Sequence, residues 1–265
     1  MPDEPIIILE NGRVNEKYFK LVFRSRALAR GASPGQFLNL AIDDPPSVFG
    51  FPSVGLVPFL RRPFSYYRVK EDRVEILYEI LGCGTAILAG KRKGDRLRAM
   101  GPLGRPFSVE IKKKKRILVA GGVGVPPLVF LAERYPIDHL LIGCKSRKEV
   151  LPKKELARVM GEISYATDDG SYGTKGFATK LLEKLLKKES PRDLFIQTCG
   201  PKPMMQAVLE MARRLDLEGE VSVDETMACG VGSCLGCMVK TQEGWTPSCT
   251  QGPVFRFDTL ETIVP

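Results

Sequence analysis

Apolar and polar residues alternate in short runs through the first part of the chain: YFKLVFRS (18–25), GQFLNLAI (35–42), RVEILYEI (73–80) and DRLRAM (95–100). A period of two, bounded by turn residues, predicts strands. Residues 1–107 therefore read as an antiparallel β-barrel or sandwich. The stretch AIDDPPSVFGFPSVGLVPFLRRP (41–63) is rich in proline and glycine and reads as a loop. At Lys115 the rhythm changes. Buried strands are predicted at RILVAGG (116–122), HLLIGCKS (139–146), EISYATDD (162–169), DLFIQTCG (193–200) and EVSVDE (220–225). Amphipathic helices are predicted between them at 126–135, 147–160, 177–188 and 203–216. This alternation predicts a doubly wound parallel sheet over 108–225. From about Thr226 the periodicity is lost, so 226–265 reads as a third, small segment.

A length of 265 residues suits two domains with an appendage, and 43% hydrophobic content fills real cores. No basic leader with a long apolar run opens the chain, and no stretch approaches the roughly 18 apolar residues of a membrane span. The cytoplasm is the expected compartment, with no membrane contact. There the seven cysteines read as ligands or free thiols rather than disulfides. Part of the net charge of +9 lies in Lys112–Arg116, directly before a strand, and reads as a solvated turn. Stacking aromatics are not interleaved with it, so nucleic-acid binding is not expected. A basic balance suits anionic nucleotides or an acidic partner subunit.

Several loops carry candidate chemistry. Gly121, Gly122 and Gly124 follow a strand and open a helix, where close backbone approach and a helix N-terminus favour a pyrophosphate. A tight strand–helix turn is the simpler explanation of that motif alone. Thr167–Gly170, with Asp168 and Asp169, and Cys199-Gly200-Pro201 also lie at strand C-termini, so three loops converge on one sheet edge. In the barrel, Arg62-Pro63-Phe64-Ser65 and Gly82-Cys83-Gly84-Thr85 can hold a diphosphate from two sides, by charge and by backbone N–H groups.

The tail carries Cys229, Cys234, Cys237 and Cys249, spaced C-x4-C-x2-C-x11-C. Its first three cysteines match the plant-type [2Fe–2S] arrangement. Zinc is the alternative, although only Cys234 and Cys237 form a zinc-type knuckle. The single histidine, His139, cannot support a Rieske centre, which needs two. Cys144, at a strand end, reads as core, and Cys83 as a small residue that fits its turn.

Taken in order, RRPFS (61–65), GCGT (82–85), GPLG (101–104), GGVGVPP (121–127) and CGP (199–201) resemble the ferredoxin–NADP reductase superfamily. That superfamily joins a flavin-binding barrel to a nicotinamide-binding α/β domain. The tail MACGVGSCLGCMVK (227–240) with CTQGPVF (249–255) resembles the electron-transfer subunits of NAD-dependent, class-B dihydroorotate dehydrogenases. The resemblance spans nearly the whole chain. It implies that Cys229, Cys234, Cys237 and Cys249 hold a [2Fe–2S] cluster. Arg62, Pro63, Phe64 and Ser65 would hold the flavin diphosphate and flank the isoalloxazine. Leu77, Tyr78 and Glu79 would run along the ribityl and adenine side, and Gly84 and Thr85 would cap the phosphates. Two phosphate-binding elements favour FAD over FMN. Cys199 would lie near the nicotinamide. Asp168 and Asp169 stand where NADP-using relatives carry serine and arginine, which favours NAD; a simple turn is the other reading. Hydride transfer needs no acid or base from the protein, so no residue is assigned as catalytic.

The implied partner is an FMN-containing dihydroorotate dehydrogenase catalytic subunit, in a heterotetramer of two plus two. Electrons would pass from its FMN through the cluster and FAD to NAD, in pyrimidine biosynthesis. Two alternatives stay open. One is the small subunit of a bifurcating NADH-dependent ferredoxin–NADP oxidoreductase or sulfide dehydrogenase. The other is a zinc-stapled nucleotide-binding regulatory subunit.

Overall fold

The computed structural model describes residues 1–42, 60–111 and 113–263. Most of the expected loop at 41–63 (residues 43–59) and Lys112 lie outside them. The first unit contains β1 (Asp3–Arg13), β2 (Tyr18–Arg24), α1 (Arg26–Ala29), β3 (Phe37–Ala41), β4 (Arg62–Ser65), β5 (Arg68–Lys70), β6 (Arg73–Glu79), α2 (Cys83–Gly90) and β7 (Arg96–Leu103). Its strands run in the order β4-β3-β7-β1-β2-β6-β5. The two edge strands, β4 and β5, are separated in sequence by Tyr66 and Tyr67 alone. The sheet must therefore curl on itself, which makes the antiparallel sheet a barrel. Alternate residues such as Ile6, Ile8, Leu21, Phe23, Leu38 and Leu40 fill its interior. Strand β1 serves both halves: Asp3–Ile7 pair with β7, and the segment from Ile8 pairs with β2 after a register shift. Its alternation is hidden in sequence by the unbroken run Ile6–Leu9, of which Ile7 points outward.

The second unit contains β8 (Lys115–Gly121), α3 (Val125–Arg134), β9 (His139–Cys144), β10 (Glu162–Thr167), β11 (Thr174–Lys175), α4 (Ala178–Leu186), β12 (Leu194–Cys199), α5 (Lys202–Leu215) and β13 (Glu218–Ser222). After it come β14 (Met238–Thr241), β15 (Gly244–Pro247), α6 (Ser248–Gln251) and β16 (Val254–Arg256). The sheet order is β11-β10-β9-β8-β12-β13-β16, parallel except for β16. Strand β8 shows the double winding directly. Leu118 and Ala120 pack with α3 on one face, while Ile117 and Val119 pack with α4 and α5 on the other. The tail is tied to this sheet through β16, and β14 and β15 form a separate ribbon.

One expected helix is absent. Residues 147–160 form two short 3-10 turns, Arg147–Glu149 and Lys153–Glu155, instead of an α-helix. Pro152 lies between them; it has no N–H and disfavours helical geometry at Leu151. The break turns Glu155 inward, leaving it 5% exposed. There it meets Arg68 of β5 at 2.8 Å and Lys20 of β2 at 2.7 Å. Arg68 also reaches Glu133 of α3 at 2.6 Å. Phe130 of α3 packs beside Tyr66 within the barrel core. The two units thus share a buried ionic and apolar seam. The basic run is also only partly a solvated turn: Lys113 and Lys115 are exposed, but Arg116 is buried beneath Tyr135. No helix of the described residues is long and apolar enough to cross a membrane.

Candidate functional site

A cavity of 370 Å³ opens between the barrel and the α/β unit. It is lined by Arg62, Pro63, Phe64 and Ser65 of β4, by Leu77, Tyr78 and Glu79 of β6, and by Gly84 and Thr85 of α2. Every residue expected to contact the flavin thus faces one space. The doubled arginine divides its work. Arg61 turns to Asp3 at 3.0 and 3.1 Å, whereas Arg62 donates to the Leu60 carbonyl and lies against Gly84. A Cβ at Gly84 would stand 2.7 Å from Arg62 Nε, so a side chain there would displace the guanidinium. Thr85 Oγ1 accepts from the Leu81 and Gly82 N–H groups at 2.9 and 3.3 Å, which fixes the turn into α2. Helix α2 begins at Cys83. Its first-turn N–H groups have no intrahelical acceptor. Together with Arg62 they suit a diphosphate, while Pro63, Phe64, Leu77 and Tyr78 give an apolar wall. Asp224, Val123 and Pro126 close the cavity from the α/β side; Val123 and Pro126 belong to the GGVGVPP turn, whereas no local motif marks Asp224. The Asp224 carboxyl is raised above its ordinary pKa by burial and then by Glu225.

Loss of Arg62 has a measurable consequence. Arg62→Ala should weaken FAD binding by roughly 10- to 100-fold, as a charge-assisted phosphate contact disappears. Equilibrium dialysis of the purified protein reads this directly; full flavin retention would remove Arg62 from the phosphate site.

A second cavity, of 380 Å³, lies over the C-terminal edge of the parallel sheet. Gly121, Gly122, Asp168 and Pro201 line it, so the three expected loops do converge. Gly124 and Cys199 stand behind it. A Cβ at Gly124 would be 2.1 Å from the Cys199 carbonyl carbon and oxygen, so this glycine lets α3 press against the end of β12. Gly200 likewise packs on the Gly121 backbone. The Cys199 thiol is buried and its pKa is pushed up to about 12 by that burial. Cys144 does line the cavity, with its thiol also raised to about 12 by burial. The two aspartates part company. Asp168 faces the cavity. Asp169 Oδ1 accepts from Ser171 N at 2.9 Å and Ser171 Oγ at 2.6 Å, and these bonds hold its carboxyl below the usual range. Asp169 therefore shapes the turn. His139 pairs with Glu162 at the N-terminal end of β9, away from this edge.

The four tail cysteines meet on the barrel. Cys237 and Cys249 are buried with Phe37, Leu103 and Met227, while Cys234 is exposed. Gly230 and Gly232 adopt φ of +73° and +84°, so the loop curls and its N–H groups turn toward sulfur. Val231 N and Cys234 N each lie 3.4 Å from Cys229 Sγ, and Gly232 N lies 3.1 Å from Cys249 Sγ. Burial pushes the Cys229 thiol up, but these N–H groups outweigh it and hold the pKa at about 6. Cys249 N in turn lies 3.4 Å from Cys237 Sγ. Backbone N–H groups aimed at Cys229, Cys237 and Cys249 sulfurs suit the sulfur ligands of an iron–sulfur cluster. Asn39 of β3, fully buried, donates to the Cys229 carbonyl at 3.1 Å and pairs in register with Pro63 of β4.

Barrel, doubly wound sheet and cysteine tail define a ferredoxin-reductase-type oxidoreductase with an iron–sulfur appendage. A solved structure of NADH-dependent reduced ferredoxin-NADP oxidoreductase shares this fold, with a TM-score of 0.81 at 24% identity over 97% of this chain and 90% of that one. Residues 224–261 match the iron–sulfur cluster binding domain of dihydroorotate dehydrogenase B. The dihydroorotate dehydrogenase B (NAD(+)) electron transfer subunit of Bacillus velezensis is 34% identical over 95% of this chain and 96% of its own length. That of Fusobacterium nucleatum is 33% identical over 98% and 99%. The chain belongs to the family of dihydroorotate dehydrogenase B electron transfer subunits.

Proposed function

We propose that this chain carries electrons between a dihydroorotate-oxidising catalytic subunit and NAD. The observation that carries the reading is a linear order of sites. Asn39 joins the cysteine loop to the strand beside β4, which lines the flavin cavity. On the other side, consecutive residues divide between the cavities: Gly122 lines the sheet-edge cavity and Val123 the flavin cavity. Cluster, flavin and dinucleotide sites therefore follow one another.

When bound, FAD exchanges a hydride with nicotinamide and single electrons with a [2Fe–2S] cluster, joining two-electron to one-electron chemistry. The chain's own residues orient these groups. Arg62, Gly84 and Thr85 would hold the diphosphate. Phe64, Ser65, Leu77 and Tyr78 would flank the ring and ribityl side. Cys229, Cys234, Cys237 and Cys249 would ligate iron, and Gly121, Gly122, Asp168 and Pro201 would receive NAD. The partner in this reading carries FMN and assembles as two plus two subunits. Reconstitution tests it: the holoprotein with the catalytic subunit should reduce NAD at the expense of dihydroorotate. Failure of the combined subunits, each with full cofactor content, would reject it.

Coenzyme choice follows from Asp168. Its carboxylate can accept from a ribose 2′-hydroxyl and repels a 2′-phosphate. Wild type should prefer NADH to NADPH. Replacing Asp168 by serine and Asp169 by arginine should narrow the ratio of kcat/KM values with a dye acceptor, because repulsion is removed and a phosphate partner added. Asp168→Ser alone should account for part of the change. An unchanged ratio in the double variant would place the adenosine elsewhere.

A further inference from the structure

We propose that Lys17 is a dinucleotide-binding residue restrained by Glu149: its ammonium exchanges its present carboxylate partners for the pyrophosphate of an incoming nicotinamide dinucleotide. The proposal rests on reading the sheet-edge cavity as the NAD site.

Lys17 belongs to the turn between β1 and β2 of the barrel, yet it lines the cavity of the α/β unit. Its Nζ lies 3.0 Å from Glu149 Oε2 and 3.6 Å from Glu79 Oε1. The side chain is 16% exposed. It also stands over the glycine turn: a Cβ at Gly122 would be 3.8 Å from Lys17 Nζ. The stem of this lysine is anchored. Lys17 N donates to Asn15 Oδ1 at 2.9 Å, and Asn15 Nδ2 donates to the Glu149 carbonyl at 2.9 Å. The next residue, Tyr18, donates its hydroxyl to the Gly122 carbonyl at 2.8 Å. An ammonium is thus delivered from one unit to the glycine turn of the other by fixed backbone.

The charges around it explain why it should move. Asp168 and Glu149 both line the cavity, with Lys145 the other cation there. A pyrophosphate carries two negative charges, so the cavity needs a mobile cation beside its carboxylates. Glu79 Oε1 is buried without a hydrogen-bond partner, and Lys17 stands too far off to supply one. The ammonium is therefore shared between two carboxylates and hydrogen-bonded to one. A phosphate oxygen would offer it a full charge-assisted bond.

A purely structural role for Lys17, as a strut between the units, predicts something different, and paired variants separate the two. The assay is NADH oxidation by the FAD-loaded holoprotein with a dye acceptor. Lys17→Gln should raise KM for NADH by roughly 10- to 100-fold, with kcat little changed and flavin content intact. Lys17→Arg should restore KM to near the wild-type value. Glu149→Gln, which releases Lys17 and removes a repelling charge, should lower KM. A strut would make Glu149→Gln and Lys17→Gln err in the same direction, because both break the same ion pair; that result overturns the proposal. An unchanged KM in Lys17→Gln overturns it as well. If the flavin-loaded wild type fails to oxidise NADH at all, the functional reading falls and takes this proposal with it.

Discussion

Cys234→Ser should lose the iron–sulfur cluster and cut partner-coupled turnover by about two orders of magnitude or more, while NADH oxidation with a dye survives. Even groups that only support metal ligands typically cost about 10- to 100-fold when removed, and Cys234 is itself an expected ligand. Cys234 is the informative position because it is exposed, whereas Cys237 and Cys249 are packed against Phe37 and Leu103. Serine at Cys234 therefore removes a thiol without opening the core. The flavin cavity draws none of its lining from the cysteine loop, so FAD should stay bound and accept hydride. The measurement pairs the visible and EPR spectra of the purified variant with its two activities. Full partner-coupled turnover without a cluster would take the cluster out of the electron path.

Arg68→Met should destabilise the protein by about 3–5 kcal/mol, the usual cost of breaking a buried ion pair from one side. Arg68 faces three carboxylates: Glu133 at 2.6 Å, Glu155 at 2.8 Å and Glu75 at 3.5 Å. It also stacks on Tyr67 with its guanidinium carbon 4.2 Å from the ring centroid. Remove it, and Glu155 keeps Lys20 at 2.7 Å and the Tyr67 hydroxyl at 3.2 Å. The loss should appear as a fall of roughly 10 °C in the melting midpoint of the holoprotein. It should also depend on pH. Burial tends to raise the Glu155 pKa, but Lys20 and Arg68 outweigh it and hold the carboxyl below its ordinary 4.5. A depressed folded-state pKa contributes stability above the unfolded value and loses it as pH falls through the folded one. The difference between wild type and variant should therefore be full near neutrality and shrink below about pH 4. A midpoint unchanged at neutral pH would show that the seam is held by its apolar contacts alone.

The sequence discloses what is local and misses what is distant. Strands such as Arg73–Glu79 and helices such as Lys202–Leu215 follow from their periods. The cluster ligands lie within one short segment, and the flavin loops within two, so composition and spacing point to both. Pro152 was a legible warning against a helix at 147–160. The outcome of that break, Glu155 buried against Arg68 at a separation of 87 residues, has no local signal. The same holds for Lys17 and Glu149, 132 residues apart. Asp169 with Ser171 is the spacing of a side-chain-capped turn, which separates it from its neighbour Asp168 once the side chains are seen.

One measurement is the most direct: anaerobic mixing of the FAD- and cluster-loaded chain with NADH, followed optically and by EPR of frozen samples. Flavin absorbance should bleach and a reduced [2Fe–2S] signal should then appear within the same chain, without any partner present. Bleaching of the flavin with the cluster left oxidised, or reduction of the cluster in a flavin-free sample, would contradict the order of cluster, flavin and dinucleotide.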